Sequence, residues 1–455
     1  MSSNPLSIYL NTPSLSRFRA TRAGVLALFC AGVLRVLTRC SAALRFLHPP
    51  SFARAAALAL ALLASPALLV NQASATTWTF TGADPSFGTY WSQSGNWDLN
   101  TLPTSANTTD LVIGGTTNVG SMIWHDLTTP LTIRSLTFND SNDANTTLYL
   151  SRTVVGASPK SFIFSSDTGN ATLTVEAGST GNKLVTSAIA GSTITLTSSL
   201  NIVHNGSGNL TIGGNAIFTG AGNITKSGTG TLTLSGANTY TGATTINAGT
   251  LKIQANAFLT TARNYTITSG AVLNLDGANR FATGNSTISG SGKLLITGGW
   301  FQGQATVSPA VVGNISLGSG GTIEIASGAT LYNGGYTSVF WTSNLADIIV
   351  DGTLNVADGQ SVIVDALTGS GTIDKGFAGT VNLLVGVDNG TGTFSGIIKN
   401  TTGSIALTKN GTGTQTLSGN NTYTGATTIS AGTLKANGGS AIADTSAVSV
   451  TSGGE

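Results

Sequence analysis

The sequence predicts an all-β chain wound into a right-handed parallel β-helix, a solenoid whose coils take about 20 residues each. Three observations carry that expectation. Glycine supplies 59 of the 455 residues while charged residues supply only 8%, against the quarter usual in globular chains. Apolar and polar residues alternate in short runs such as Thr231-Leu-Thr-Leu234, the period of a strand with one buried face. Glycines that open such runs fall at 169, 191, 208, 230, 249, 270, 292, 321, 352, 371, 392, 413 and 432, and nine of the twelve intervals are 19–22 residues. A unit of that length holds two or three short strands with their turns. Propeller blades need about 40 residues, and helical repeats need helix-forming runs that are missing here.

Residues 1–75 read as an extended signal peptide. They hold seven Arg and no acidic residue, and the apolar run Ala55 to Val70 leads to Ala73-Ser74-Ala75, a small-residue cleavage site. The run is short for a membrane span of roughly 20 residues, and Pro66 interrupts it. Without this leader the 20 basic residues fall to 13 against 18 acidic ones, so the formal charge moves from +2 to −5. A mature chain so poor in Lys and Arg has no face to neutralise phosphates, which excludes a nucleic-acid partner. Both cysteines, Cys30 and Cys40, leave with the leader, so disulfides cannot staple the exported part.

Residues 76–145 differ from the rest of the exported chain. They hold Trp78, Trp91, Trp97 and Trp124, four of the six tryptophans, and read as a Trp-rich β module that caps the open end of the array. Residues 146–455 form the array. Its clearest copy runs from Lys226 to Ile253 and returns at Lys409 to Ala436, with 23 of 28 positions identical. The motif positions are Gly230, Leu232, Leu234, Gly236, Tyr240, Gly242, Ile246, Gly249 and Leu251 in the first copy. In the second they are Gly413, Leu417, Gly419, Tyr423, Gly425, Ile429, Gly432 and Leu434. Leucine and isoleucine positions are expected inward, and Thr233 outward. Gln415 stands where the first copy has Leu232; a buried amide needs a partner, so that coil is expected to be wetter or shifted in register. The two longest glycine intervals carry Trp300, Phe301, Tyr332, Tyr336, Phe340 and Trp341, and read as loops or broadened coils.

The string from Gly230 to Leu251, echoed at 413–434, closely resembles the autotransporter-associated β-strand repeat, also called the passenger-associated transport repeat. The resemblance implies a β-helical passenger, secreted or held at the surface of a Gram-negative-type bacterium, with a structural or adhesive role and repeats that assist secretion and folding outside the cell. It implies as partners a Sec-type export machinery and an outer-membrane translocator, and leaves room for a glycan or cell-surface ligand and for self-association. It brings no catalytic residues, cofactor or metal. Nothing after residue 436 has the strands of about 10 residues that build an outer-membrane barrel. Gly454 stands one coil period after Gly432, where a further coil should open, so the sequence is expected to end inside a repeat.

Catalysis finds little support. His125 and His204 lie far apart in the chain, without metal-ligand spacing, and read as ordinary surface or partly buried residues. The alternative is a glycan-active β-helix enzyme of polysaccharide-lyase type, with carboxylates from adjacent coils as acid, base or Ca²⁺ ligands. Its candidates are Asp351, Asp358, Asp365, Asp374 and Asp388, which sit at different offsets from their coil glycines and so read as solvated turn residues. Asp140 and Asp143, in Asn139-Asp-Ser-Asn-Asp143, suit a weakly held cation, and a turn explains them as well.

Overall fold

A computed structural model describes residues 75–455 apart from 83–89, 115–121, 141–144, 152–157, 255–262, 278, 281–285, 299, 303–312, 334–338, 342 and 357–360. The chain divides into two units, Met1–Ala73 and Ser74–Glu455, and every described residue lies in the second. That unit is a parallel β-helix. Among the described residues there is no α-helix, only the 3₁₀ turn Ser94–Asn96, and every strand pair is parallel, as in the first, Thr76–Phe80 against Thr109–Gly114.

Three faces recur in cyclic order. Face one stacks eleven strands, from Thr76–Phe80 through Ala171–Val175 and Leu200–His204 to Val339–Phe340. It resumes as five strands from Val362–Val364 to Val448–Val450. Face two stacks eleven strands from Met122–Trp124 to Leu367–Thr368, then three more from Gly392–Phe394 to Thr433–Ala436. Face three has four strands ending at Ile217–Gly220 and six from Asn279–Arg280 to Ile397–Asn400.

The physical reason is in the alternation. A parallel sheet must have its inner face covered, and here each face covers the other two. Inward residues stack on their equivalents one coil away, at the strand spacing of ~4.8 Å. One such column on face one reads Trp78, Leu111, Leu136, Leu173 and Ile202, all buried. On face two, Leu210, Leu232, Leu251, Leu273, Leu294, Ile323 and Ile348 do the same.

Face one begins within the Trp-rich stretch, so the same sheet runs through residues 76–139 into the array. Trp97 packs edge-on against Phe80 at 5.1 Å and against Trp91 at 5.4 Å, and all three are buried. The aromatic segments read from sequence as loops or broadened coils are coil strands where described. Trp300–Gln302 and Thr330–Tyr332 pair on face three, Val339–Phe340 closes the long part of face one, and Trp341 is buried with its indole Nε1 donating to Asn333 Oδ1 at 2.7 Å. Tyr336 lies outside the described residues.

The breaks in the three ladders are bridged by buried polar side chains. Where face one stops, the Asn344 side chain accepts from Leu317 N at 3.1 Å and donates to Ile363 O at 2.9 Å, joining the sheets on either side. Where face three stops, Asn238 Oδ1 accepts from Phe218 N, and Arg263 lies over the Tyr240 ring while donating to Asn238 O and Tyr240 O. Where face two stops, Gln415 reaches 48 residues back to the Leu367 peptide, accepting from its N–H at 3.1 Å and donating to its carbonyl at 2.8 Å. Gln415 is 1% exposed and pairs in register with Gly392 and Leu434, so the coil is not shifted: the side chain supplies the missing rung.

The repeat motif as candidate functional site

The two strong copies fold as the same cassette. Each starts with an inward strand carrying a lysine, Lys226 or Lys409, at a core position. Lys226 lies between Ile202 and Ile246 in the face-one column, and Lys409 between Val385 and Ile429. Both lysines are fully buried. The Lys226 ammonium donates to the carbonyls of Ser227, Gly228 and Ala248 at 2.9, 2.8 and 3.1 Å, and Lys409 donates to Asn410, Gly411 and Ala431 at 2.5, 2.9 and 3.2 Å. The first two carbonyls belong to the turn the lysine itself opens; the third belongs to the next coil. The ammonium therefore pins one corner to its neighbour, meeting the hydrogen-bonding demand of a buried cation with carbonyls. Burial pushes the Lys226 ammonium down to about 8, and lowers Lys409 against the opposing pull of Asp365.

The face-two strand follows, Thr231–Leu234 or Thr414–Leu417, and then the Asn-Thr-Tyr-Thr-Gly segment stands in for a third-face strand. Asn238 and Asn421 each accept from a backbone N–H of the preceding coil, Phe218 or Ile398, and donate to a carbonyl. Tyr240 and Tyr423 turn inward and are fully buried, each sharing a hydrogen bond of 2.7 Å with the threonine four residues on, Thr244 or Thr427. Leu232, Leu234, Ile246, Leu251, Leu417, Ile429 and Leu434 are all buried, the last two least completely. Gly249 and Gly432 have φ of +65° and +63°, and a Cβ on either would lie 2.6 Å from the carbonyl oxygen of Gly230 or Gly413 in the coil before. Gly236, Gly242, Gly419 and Gly425 are likewise pressed against backbone of the preceding coil. Thr233 points outward from face two yet is only 7% exposed.

Sequence reasoning missed the caged lysines, although an identical lysine opens both copies. It also placed the two histidines wrongly. His125 and His204 are fully buried, and burial pushes each imidazole down to about 4. His125 packs in a three-ring cluster with Trp91 at 5.2 Å and Phe162 at 4.8 Å, which are themselves 5.2 Å apart.

The carboxylates are occupied by backbone. Asp351 accepts from Ser370 N, Asp374 from Thr401 N, and Asp365 from Asp388 N and Gly390 N at 2.7 Å each. Asp365 is 7% exposed, so it is a buried corner clamp and not a solvated turn residue. Asp388 supplies backbone to that clamp, and Asp358 lies outside the described residues. Asp140 is buried too, 3.0 Å from the Lys183 ammonium. No group of three or more His, Cys, Asp or Glu among the described residues is placed to hold a metal ion, and no helix among them is long and apolar enough to cross a membrane. The outer surface of face two carries a groove of about 570 Å³, lined among others by Thr211, Thr233, Lys252, Gln254, Asn274 and Lys293. Its two lysines pair with Asp276 and Glu324 at 2.7 and 2.9 Å.

No curated protein and no solved structure matches the chain significantly. A family model does match, twice, at residues 224–253 and 407–436, over the two cassettes. That family is associated with autotransporter passenger domains, which are secreted or displayed at the surface of Gram-negative bacteria. The shared geometry of the caged lysine, the cross-coil asparagine and the buried tyrosine is thus the folded form of a known sequence unit, and the chain carries two passenger-associated-transport-repeats.

Proposed function

We propose that this chain is an exported passenger whose β-helix serves a structural or adhesive role at the cell surface, and that its two repeats are winding cassettes that help the helix form after export. One observation carries the reading. Both cassettes, at distant points of the array, make the same cross-coil bonds from lysine and asparagine, each to the coil before or after it. A coil that brings its own bonds to both neighbours can template winding from within the array, which suits a chain that folds as it emerges. In this reading the leader, cleaved after Ala75, directs the chain to a Sec-type machinery, an outer-membrane translocator passes it on, and the Trp-rich stretch 76–145 caps the first coil. The groove on face two, with its hydroxyls, amides and paired ammonium groups, suits a polar ligand such as a surface glycan.

Deleting 226–253 and 409–436 separately and together tests the cassette role, with protease resistance of the exported chain as readout. Each single deletion should slow the appearance of protease-resistant helix, and the double deletion should do so more than additively. Unchanged kinetics in the double deletion would sink the proposal. Binding of purified 76–455 to cells and to immobilised glycans, compared with a Lys252→Ala/Lys293→Ala variant, tests the adhesive part.

A further inference from the structure

The corner between faces one and two holds a line of buried polar groups that the cassette does not explain. Asp140 and Lys183 form an ion pair inside it, with Ser179 and Thr146 donating to the carboxylate. His204 follows, at the top of the inward column Phe80, Ile113, Phe138 and Val175. Lys226 comes next, on the strand stacked over that of His204, and Lys183 lies on the adjacent face-two strand. The His204 ring is fully buried, and neither of its nitrogens makes a hydrogen bond of good geometry. Gly230, the motif glycine of the coil above, leans on it so closely that a Cβ there would lie 2.6 Å from Nδ1. The ring thus occupies a tight space in which a second proton would meet two ammonium groups and, in return, only the Gly208 backbone.

We infer that this corner is an acid-operated joint: protonation of His204 between Lys183 and Lys226 opens the corner at 204–210 and 226–231 while neighbouring coils stay wound. Three cations then share one buried site with a single carboxylate, Asp140, which already serves Lys183; Glu176, the residue after the strand below, is half-exposed. Burial and the two lysines hold the imidazole neutral, down to about 4, against a weaker pull from the Gly208 backbone. The groups on every strand packed against the ring therefore act in one direction or are already committed. Opening would expose Gly206, Gly208, Gly228 and Gly230, flexible turn positions suited to proteolysis.

The test is hydrogen exchange of the exported chain between pH 6.5 and pH 4, read as protection factors so that intrinsic pH dependence cancels. Amides in 204–210 and 226–231 should lose at least tenfold protection while those in 265–297 keep theirs, and His204→Leu should abolish the loss. An equal loss in His204→Leu, or protection at the corner that persists until the whole helix unfolds, would overturn the inference. If His204→Leu does not fold, the titration of the His204 ring by NMR in the unmodified chain decides. A ring that stays neutral to near pH 4 and whose protonation coincides with corner opening supports the joint, and a midpoint above pH 6 without opening refutes it.

Discussion

Replacing Gln415 by leucine restores the residue that the first cassette has at the same place, and on sequence grounds should stabilise the second. The structure argues for the reverse. Gln415 satisfies both the N–H and the carbonyl of Leu367, and its amide also donates to Thr416 O at 3.2 Å. Leucine would strand the Leu367 peptide in the core, where each unsatisfied buried group costs about 1–3 kcal/mol. Against that, burying a leucine side chain in place of an amide gains about 2 kcal/mol. The net expectation is a loss of about 2 kcal/mol, concentrated at the face-two break. Leu232→Gln in the first cassette should cost more, about 4 kcal/mol, because Leu232 lies in an unbroken ladder between Leu210 and Leu251 and a new amide finds no open peptide there. Native-state hydrogen exchange at 365–369 and 392–394, with urea unfolding of both variants, measures the pair. A neutral or stabilising Gln415→Leu, with unchanged protection at Leu367, would refute the reading of the glutamine as a rung.

Other expectations rest on the same geometry. Gly249→Ala should destabilise by about 2 kcal/mol or more, since φ is +65° and the added methyl meets the Gly230 carbonyl; thermal unfolding beside a Gly270→Ala control, where φ is positive but space is open, separates strain from contact. Tyr240→Phe should cost about 1 kcal/mol, because the buried Thr244 hydroxyl loses its tyrosine partner, whereas Tyr423→Phe should cost less, because Thr427 keeps Ser446 Oγ at 2.7 Å; the urea midpoint should shift more for the first. His125 has a folded value of about 4 against 6.5 unfolded, so the unfolded chain binds the extra proton between these values and stability falls as pH drops through that window, by about 3 kcal/mol in all. Removing the imidazole with His125→Phe should reduce that slope in denaturation curves taken from pH 7 to pH 4. Finally, amides of Val448–Val450, an edge strand whose valines are 52% and 56% exposed, should exchange far faster than those of 224–253.

The fold was legible because its two rules are local: alternation assigns strands and spaced glycines assign coils. The buried histidines were legible in principle. His204 follows Ile202 by two and His125 follows Ile123 by two, so both keep the parity of a buried neighbour, and polarity misdirected the reading. Gln415 was recognised as a problem whose solution lay 48 residues away, beyond the reach of any local rule. Asn344 and Arg263 had no signal at all, since their work is to bridge sheets that end for reasons spread over several coils. Lys226 and Lys409 were visible as repeated residues, but a lysine reads as outward until the carbonyls around it are seen.

The breaks in the three ladders do not coincide. Among the described residues, face three is interrupted between 220 and 279, face one between 340 and 362, and face two between 368 and 392. A wall laid with staggered joints resists a crack because each gap in one course is spanned by whole bricks in the next, and the same holds here. At every interruption the other two faces are continuous, and face two keeps a single isolated pair, Gly369 with Phe394, across its own break. A pulling force along the helix would therefore meet no plane in which all backbone ladders are absent, and rupture would have to tear peptide hydrogen bonds as well as the side chains that span each gap.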